Sequence, residues 1–313
     1  MKRYAKLQRY VGAEKEELAD GRQKKGPVQS SPSAFSRLYY AVRLHLHKYR
    51  WLLRSSQIIR GLWILGPLRS YAIRYYQRFC RNPPLRIEKH EIFPDLNVGH
   101  VVDDINEHGY SQPGKIPGNY VAQIINYCER TRRVEYWNPH TECEAIRLLA
   151  HNEQILQIAR LYLGAEPILW LSQLRWSFGT AAEKQKMLPS LHPEPVQYDC
   201  DSFHYDTLDF KSMTVFIYLT DVAPESGPHV VVGGTHKTKT LRELCHIILS
   251  DRAAEKKFGD RIKMILGPKG TVLFEETSSY HKAARCRTKR LMLSIDYVLQ
   301  RTPPPERPRL VTA

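Results

Sequence analysis

Two short segments, 77 positions apart, constrain this chain more than anything else in it. One reads Ser202-Phe203-His204-Tyr205-Asp206. The other begins Tyr280-His281-Lys282 and reaches Arg290 nine residues after its histidine. In a β-strand, residues i and i+2 point to the same face, about 6.6 Å apart at about 3.3 Å per residue. His204 and Asp206 can therefore converge on one ion while Tyr205 faces away. A third ligand must come from elsewhere in the fold, and His281 can supply it.

Two histidines and one carboxylate are the ligand set of facial-triad iron(II) sites, which leave three positions of an octahedral ion open. A 2-oxo acid fills two of these and dioxygen the last. The same donors can hold zinc. Arg290 opens the apolar run Arg290-Leu291-Met292-Leu293-Ser294-Ile295-Asp296-Tyr297-Val298. Its planar guanidinium suits bidentate carboxylate binding better than a lysine would. An arginine at this offset argues for an oxo acid beside the metal.

A bare His-x-Asp is common, and most are solvated loop residues. Here the surroundings add to it. Thr214 to Val222 is a continuous apolar strand signal, Pro224-Glu225-Ser226-Gly227-Pro228 makes a turn, and His229-Val230-Val231-Val232-Gly233-Gly234-Thr235-His236 follows. This order resembles the phytanoyl-CoA dioxygenase family. So do Ile158-Ala159 with Tyr162-Leu163-Gly164 ahead of a strand at 167–178, and a helix closing on Gly109-Tyr110. The resemblance covers roughly residues 100 to 300. It implies His204, Asp206 and His281 as iron(II) ligands and Arg290 as the group holding the far carboxylate of 2-oxoglutarate. Thr214 adds a hydroxyl contact, dioxygen is the co-substrate and ascorbate a possible reductant. The chain departs from the family at Gly234-Thr235-His236, where Gly-Ser-His is usual, and Tyr205 fixes no subfamily. Relatives that halogenate replace the metal carboxylate with a small residue; Asp206 is present, so hydroxylation is the expected outcome.

The expected fold is mainly β with flanking α-helices: a double-stranded β-helix, the jelly-roll or cupin-like barrel, plus a basic N-terminal helical arm. Strands are expected near 167–178, 198–206, 212–221, 228–233, 271–275 and 289–298, with helices at 120–132 and 142–163 and a helical insertion at 241–265. Residues 180 to 196 have little regular pattern and read as a substrate lid or as a surface loop. His192, His229 and His236 read as structural or supporting groups, since the ligand set is complete without them.

Charge separates the chain into two parts. Residues 1–90 carry 20 Lys/Arg against 5 Asp/Glu, which is the whole net charge of +15, and residues 91–313 are neutral. From Gly21 to Ile87 there are 14 basic residues and no acidic one. The expected organisation is a partly helical basic arm, 1–90, and an oxygenase domain, 91–313. Leu38, Val42, Leu46, Tyr49 and Leu53 recur at helical spacing, and Gly66-Pro67 breaks the pattern before a second basic piece from Leu68 to Arg81. Three readings of the arm compete: an anionic membrane surface bound through residues 36–81, nucleic-acid binding, and helices packed on the barrel. The apolar content of Ile58, Ile59, Leu62, Trp63, Ile64 and Leu65 favours lipid or packing over nucleic acid.

No apolar run resembling a signal peptide follows the basic start, and the uncharged piece Gly61 to Leu68 is far short of the ~20 residues a span needs. The six cysteines show no metal-binding spacing and read as free thiols of a reducing compartment. The expected place is the cytoplasm, on the inner face of the membrane. Two functions from different classes follow: an enzyme that hydroxylates a C–H bond of an anionic amphiphile, or a binding protein on an inactive oxygenase scaffold. Among relatives, a cytoplasmic hydroxylase with a membrane-surface arm resembles the Kdo hydroxylases acting on lipopolysaccharide or lipid A precursors. A small-molecule or fatty-acyl hydroxylase is the alternative.

Overall fold

Nine strands and eight α-helices are seen among the residues that the computed structural model describes: 50–79, 81–94, 96–180, 202–237, 239–245 and 247–300, with side chains from 58 onward. The helices are α1 (Arg50–Leu65), α2 (Arg69–Phe79), α3 (Val98–His108), α4 (Gly118–Thr131), α5 (Glu144–Ala150), α6 (Glu153–Leu163), α7 (Leu241–Cys245) and α8 (Asp251–Phe258). The strands are β1 (Tyr110–Lys115), β2 (Glu135–Trp137), β3 (Ile168–Phe178), β4 (Ser212–Tyr218), β5 (His229–Val232), β6 (Ile262–Ile265), β7 (Thr271–Glu275), β8 (His281–Ala283) and β9 (Lys289–Val298).

The strands form two antiparallel sheets. The larger has the order β1-β7-β4-β9-β3-β2, and the smaller β6-β5-β8. The alternation of β4 and β9 decides what each face buries. Val215, Ile217, Leu291, Leu293, Ile295 and Tyr297 point to helices α3 to α6 and join one large apolar cluster with Ile124, Leu149 and Ile158. The opposite face carries Tyr218 and Leu273, which pack on Val231 and Ile265 of the smaller sheet. The outer face of the smaller sheet is covered in turn. Val230 and Val232 lie against Leu244 and Phe258 of α7 and α8 and against Ile64 and Leu65 of α1. The layers are thus helices, sheet, sheet, helices, which agrees with the expected mainly β barrel with flanking helices.

The helical hairpin α1–α2 is fastened to this body by polar contacts as well. Arg60 donates to the carbonyl of Thr207 (2.9 Å), Gln77 to that of Leu163 (2.7 Å), and Arg69 to those of Phe210 (2.6 Å) and His236 (2.5 Å). Ile64 and Leu65 are buried, at about 1.5–3 kcal/mol each. Of the apolar residues at the end of α1, only Ile59 and Trp63 stand out in solvent, and they continue into Leu68, Tyr71, Tyr75 and Phe79 of α2. No helix among the described residues is long and apolar enough to cross a membrane.

Several expectations change in detail. The helix expected at 142–163 is two helices. Asn152 interrupts it because its side chain caps α6, accepting from the amides of Gln154 (3.0 Å) and Ile155 (3.3 Å). The insertion expected to be helical through 265 ends in strand β6, whose residues pair with β5 from Val232↔Ile262 to His229↔Ile265. The segment expected as a strand at 198–206 is described from residue 202 and makes only single bridges, Phe203↔Leu249 and His204↔His281. The candidate lid, its His192, the periodic residues Leu38 to Tyr49 and Cys200 lie outside the described residues. Among the described cysteines, Cys128, Cys143, Cys245 and Cys286 are free.

Candidate metal centre

Backbone pairing brings the two distant segments together. The amide of His204 donates to the carbonyl of His281 (2.9 Å) and the amide of His281 to that of His204 (2.7 Å). Asp206 is held by its own amide on the carbonyl of Thr277 (2.8 Å). Tyr205, between the two ligands, turns the other way and is buried beside Tyr280. The ligand atoms of His204, Asp206 and His281 all lie within 4.8 Å of one another. The rings of His204 and His281 have centroids 4.5 Å apart, and Nε2 of His281 is 3.7 Å from Oδ2 of Asp206.

The rings are oriented for metal binding by their other nitrogens. Nδ1 of His204 lies 2.9 Å from the carbonyl of Ser202, and Nδ1 of His281 lies 3.0 Å from that of Ser279. A hydrogen on each Nδ1 leaves each Nε2 with its lone pair toward the shared point, the tautomer that a metal ligand needs. Ser279 can sit there because Gly109, which ends α3 at φ 85°, has no side chain: a Cβ would come within 2.6 Å of its Oγ. The donor set therefore fits a divalent ion held on one face.

Arg290 is buried on β9 opposite Ser177, whose Oγ accepts from its Nη2 at 3.4 Å. Its positive charge, after burial, helps to hold the imidazole of His229 down at about 3. Arg285 and Arg287 are exposed, so Arg290 is the buried arginine of the three. Thr214 lies opposite Glu275 in the pairing of β4 with β7, away from Arg290. Its Oγ1 donates to Oδ1 of Asp296 (2.7 Å), six residues along β9 from Arg290, a span of about 20 Å on an extended strand.

Three buried groups lie beside the ligands: His229, expected as a structural or supporting group, and Glu275 and Asp296, which were not anticipated. Glu275 ends β7 with Oε2 2.6 Å from Nε2 of His229, off the direction of a regular hydrogen bond, and Oε1 3.7 Å from Nδ1 of His281. Burial pushes its carboxyl up to about 8. Burial likewise raises Asp296 to about 7. His229 stacks on His281 at 5.4 Å. All three are therefore driven toward their neutral forms around a centre whose partly exposed carboxylate is Asp206. The sequence signal for Glu275 was an acid closing the apolar run Val272-Leu273-Phe274, which reads equally well as the end of a strand. His236 is also buried, with Nε2 3.2 Å from the carbonyl of Asn106.

No family model matches the chain. A probable alpha-ketoglutarate-dependent hypophosphite dioxygenase of Stutzerimonas stutzeri is 27% identical over 200 residues, 60% of this chain and 65% of that protein. The match thus spans less than two thirds of the relative's length. Among solved structures, the non-heme alpha ketoglutarate dependent epimerase SnoN from nogalamycin biosynthesis superposes with a TM-score of 0.50 at 16% identity, over 64% of this chain and 82% of the epimerase. The chain shares its fold with this epimerase. EctD from S. alaskensis with bound Fe gives a TM-score of 0.49 at 16% identity, over 73% of this chain and 87% of that one.

Proposed function

We propose that this chain is an iron(II)- and 2-oxoglutarate-dependent dioxygenase that hydroxylates a C–H bond. The observation that carries the reading is the gathering of His204, Asp206 and His281 around one point, with the buried Arg290 on the adjoining sheet. The relative named as an alpha-ketoglutarate-dependent dioxygenase supports it. When bound, iron(II), 2-oxoglutarate and dioxygen supply the oxidation: one oxygen atom goes to the substrate, and 2-oxoglutarate leaves as succinate and carbon dioxide. The chain's own part is to hold the ion on three adjacent positions, to fix both imidazoles through the carbonyls of Ser202 and Ser279, and to grip the far carboxylate of 2-oxoglutarate with Arg290. Ascorbate would serve to keep the iron reduced.

The substrate we assign is anionic and amphiphilic, with the Kdo sugar of lipopolysaccharide or a lipid A precursor as the leading candidate. The stripe Ile59, Trp63, Leu68, Tyr71, Tyr75 and Phe79, each more than half exposed, supports a membrane-facing surface. Arg74 and Arg78 lie against Tyr71 and Phe79 at its edge. The Stutzerimonas relative adds small phosphorus oxyanions to the substrate screen. The test is conversion of 2-oxoglutarate to succinate by the full chain, with and without iron(II), across lipid A precursors, fatty acyl compounds and small oxyanions. Iron-dependent succinate formation supports the oxygenase. A chain that binds iron yet neither binds nor consumes 2-oxoglutarate would leave the binding-protein reading.

A further inference from the structure

A cavity of about 530 Å³ opens where α2 meets the body of the protein, on the far side of the ligand-bearing segments from the metal centre. Arg69, Tyr162, Lys211, His236, Lys237 and Lys239 line it. Its position follows from strand alternation: Tyr205 points away from His204 and Asp206, and Lys239 lies over the rings of Tyr205 and Tyr280 at 4.7 and 4.8 Å. Four of the six are lysine or arginine; burial holds His236 down at about 4 and Lys239 at about 7, so near neutral pH His236 is uncharged and Lys239 sits at its titration midpoint.

Acids meet this positive charge only in part. Arg69 is occupied by the carbonyls of Phe210 and His236 and by Glu276, whose Oε2 is 3.6 Å from Nη2. Glu276 is fully buried and points inward, accepting from the hydroxyls of Tyr162 and Ser212 and from the amide of Ser212. Lys239 gives one hydrogen bond, to the carbonyl of Thr235 at 2.6 Å. Glu243, the other carboxylate of this region, is taken by Lys257 at 2.8 Å. Lys211 is half-buried with its Nζ 4.1 Å from the centre of the Tyr162 ring, and makes no hydrogen bond or ion pair among the described residues. A ring face attracts an ammonium but accepts none of its three N–H groups as an oxygen would. Lys237 stands exposed nearby.

We infer that this cavity is a second binding site, separate from the metal centre, and that it takes a phosphate-bearing anion. A dianionic tetrahedral group offers acceptors to Lys211, Lys239 and Lys237, which line the cavity together, and its charge offsets the part of the excess that Glu276 leaves unmet. The volume falls within the range of small-molecule sites and leaves room for an organic body beyond the phosphate. Burial lowers the Lys211 ammonium and brings Lys239 down to about 7, and a bound dianion would reverse both shifts. The site does not depend on the oxygenase reading, because no metal ligand lines it.

The test is calorimetric titration of inorganic phosphate into the full-length chain as purified, alongside Lys211→Met and Lys211→Arg. Wild type and Lys211→Arg should bind, and Lys211→Met should lose on the order of tenfold or more in affinity, the scale of one charge-assisted hydrogen bond. Lys237→Met, on an exposed side chain, gives a second reading should Lys211→Met fail to fold. A parallel arm uses phosphatidylcholine vesicles with and without phosphatidic acid. Binding to phosphatidic acid that depends on Lys211 identifies a lipid phosphate as the source, and binding of free phosphate identifies a soluble one. The inference is overturned if neither probe binds at millimolar concentration, or if Lys211→Met and Lys237→Met both bind as wild type does.

Discussion

His204 and His281 are each other's backbone partners, amide to carbonyl in both directions, at 2.9 and 2.7 Å. The two imidazoles are therefore set by main-chain pairing that no side-chain substitution removes. His204→Ala and Asp206→Ala should keep the fold and lose the metal. Iron affinity should fall by more than the 10–100-fold typical of an outer partner. Metal content after dialysis, read beside the melting temperature, checks this; stoichiometric iron retained by Asp206→Ala would sink the assignment.

Arg290→Ala should weaken 2-oxoglutarate binding by roughly 10–150-fold, the loss of about 1.5–3 kcal/mol for a charged hydrogen bond. Iron affinity should change little. Arg290→Lys should recover only part, because an ammonium lacks the fork geometry. An unchanged Michaelis constant for 2-oxoglutarate in Arg290→Ala would move the role to the exposed Arg287, and then to Arg285.

Thr214 separates a supporting role from a cofactor contact. Its hydroxyl holds the buried Asp296, so Thr214→Val should cost about 1–3 kcal/mol of stability by leaving that acceptor unpaired. The Michaelis constant for 2-oxoglutarate should stay within about twofold, since an oxygen contact worth keeping would exceed that. A large rise in that constant with no loss of stability would place Thr214 on the cofactor instead.

The folded-state pKa of Lys239, brought down to about 7 by burial, lies below its value of 10.5 in the absence of structure. Below pH 7 both states are protonated and the cost of burying the charge is fully present. Between about pH 7 and pH 10 the folded state sheds its proton first, so stability rises with pH. Urea unfolding of wild type against Lys239→Met across that window should show wild type gaining on the variant. A constant difference would mean that Lys239 is not held down.

Arg69 and Arg74 lie five residues apart on α2 but differ in what they hold. Arg69 faces the fully buried Glu276, whereas Arg74 stacks over the exposed Tyr71 ring. Arg69→Ala should destabilise by up to about 3–5 kcal/mol, as expected when a buried charge loses its partner. Arg74→Ala should cost less than about 1 kcal/mol. Chemical denaturation of the two variants tests this, and equal effects would mean that α2 is only loosely attached.

How much could be read in advance follows from burial. Strands β7 and β9 lie where expected because both of their faces are covered, which writes continuous apolar runs into the sequence. Strand β6 was hidden because Lys263 and the exposed Met264 give Ile262 to Ile265 no clear period. Strand β8 is three residues long and exists through its pairing with β5. Of the three candidate ligands, His204 and Asp206 were legible because His-x-Asp needs only an extended backbone, and His281 came from the second segment and its arginine nine residues on. Glu275, and its pairing with His229, were not, because that contact joins positions 46 apart in sequence.

The clamp that Arg69 makes on the carbonyls of Phe210 and His236 has a practical consequence for anyone dissecting this protein. The basic hairpin is a wall of the body, so cutting the chain after residue 81 would strip Ile64 and Leu65 from Tyr205, on the back of the metal-bearing segment, and leave Glu276 without its cation. A shortened chain that lost activity would then report a damaged interior, whatever the hairpin does at a membrane. The outward surface has to be probed one side chain at a time, at Trp63, Tyr71 and Tyr75, with the hairpin left in place.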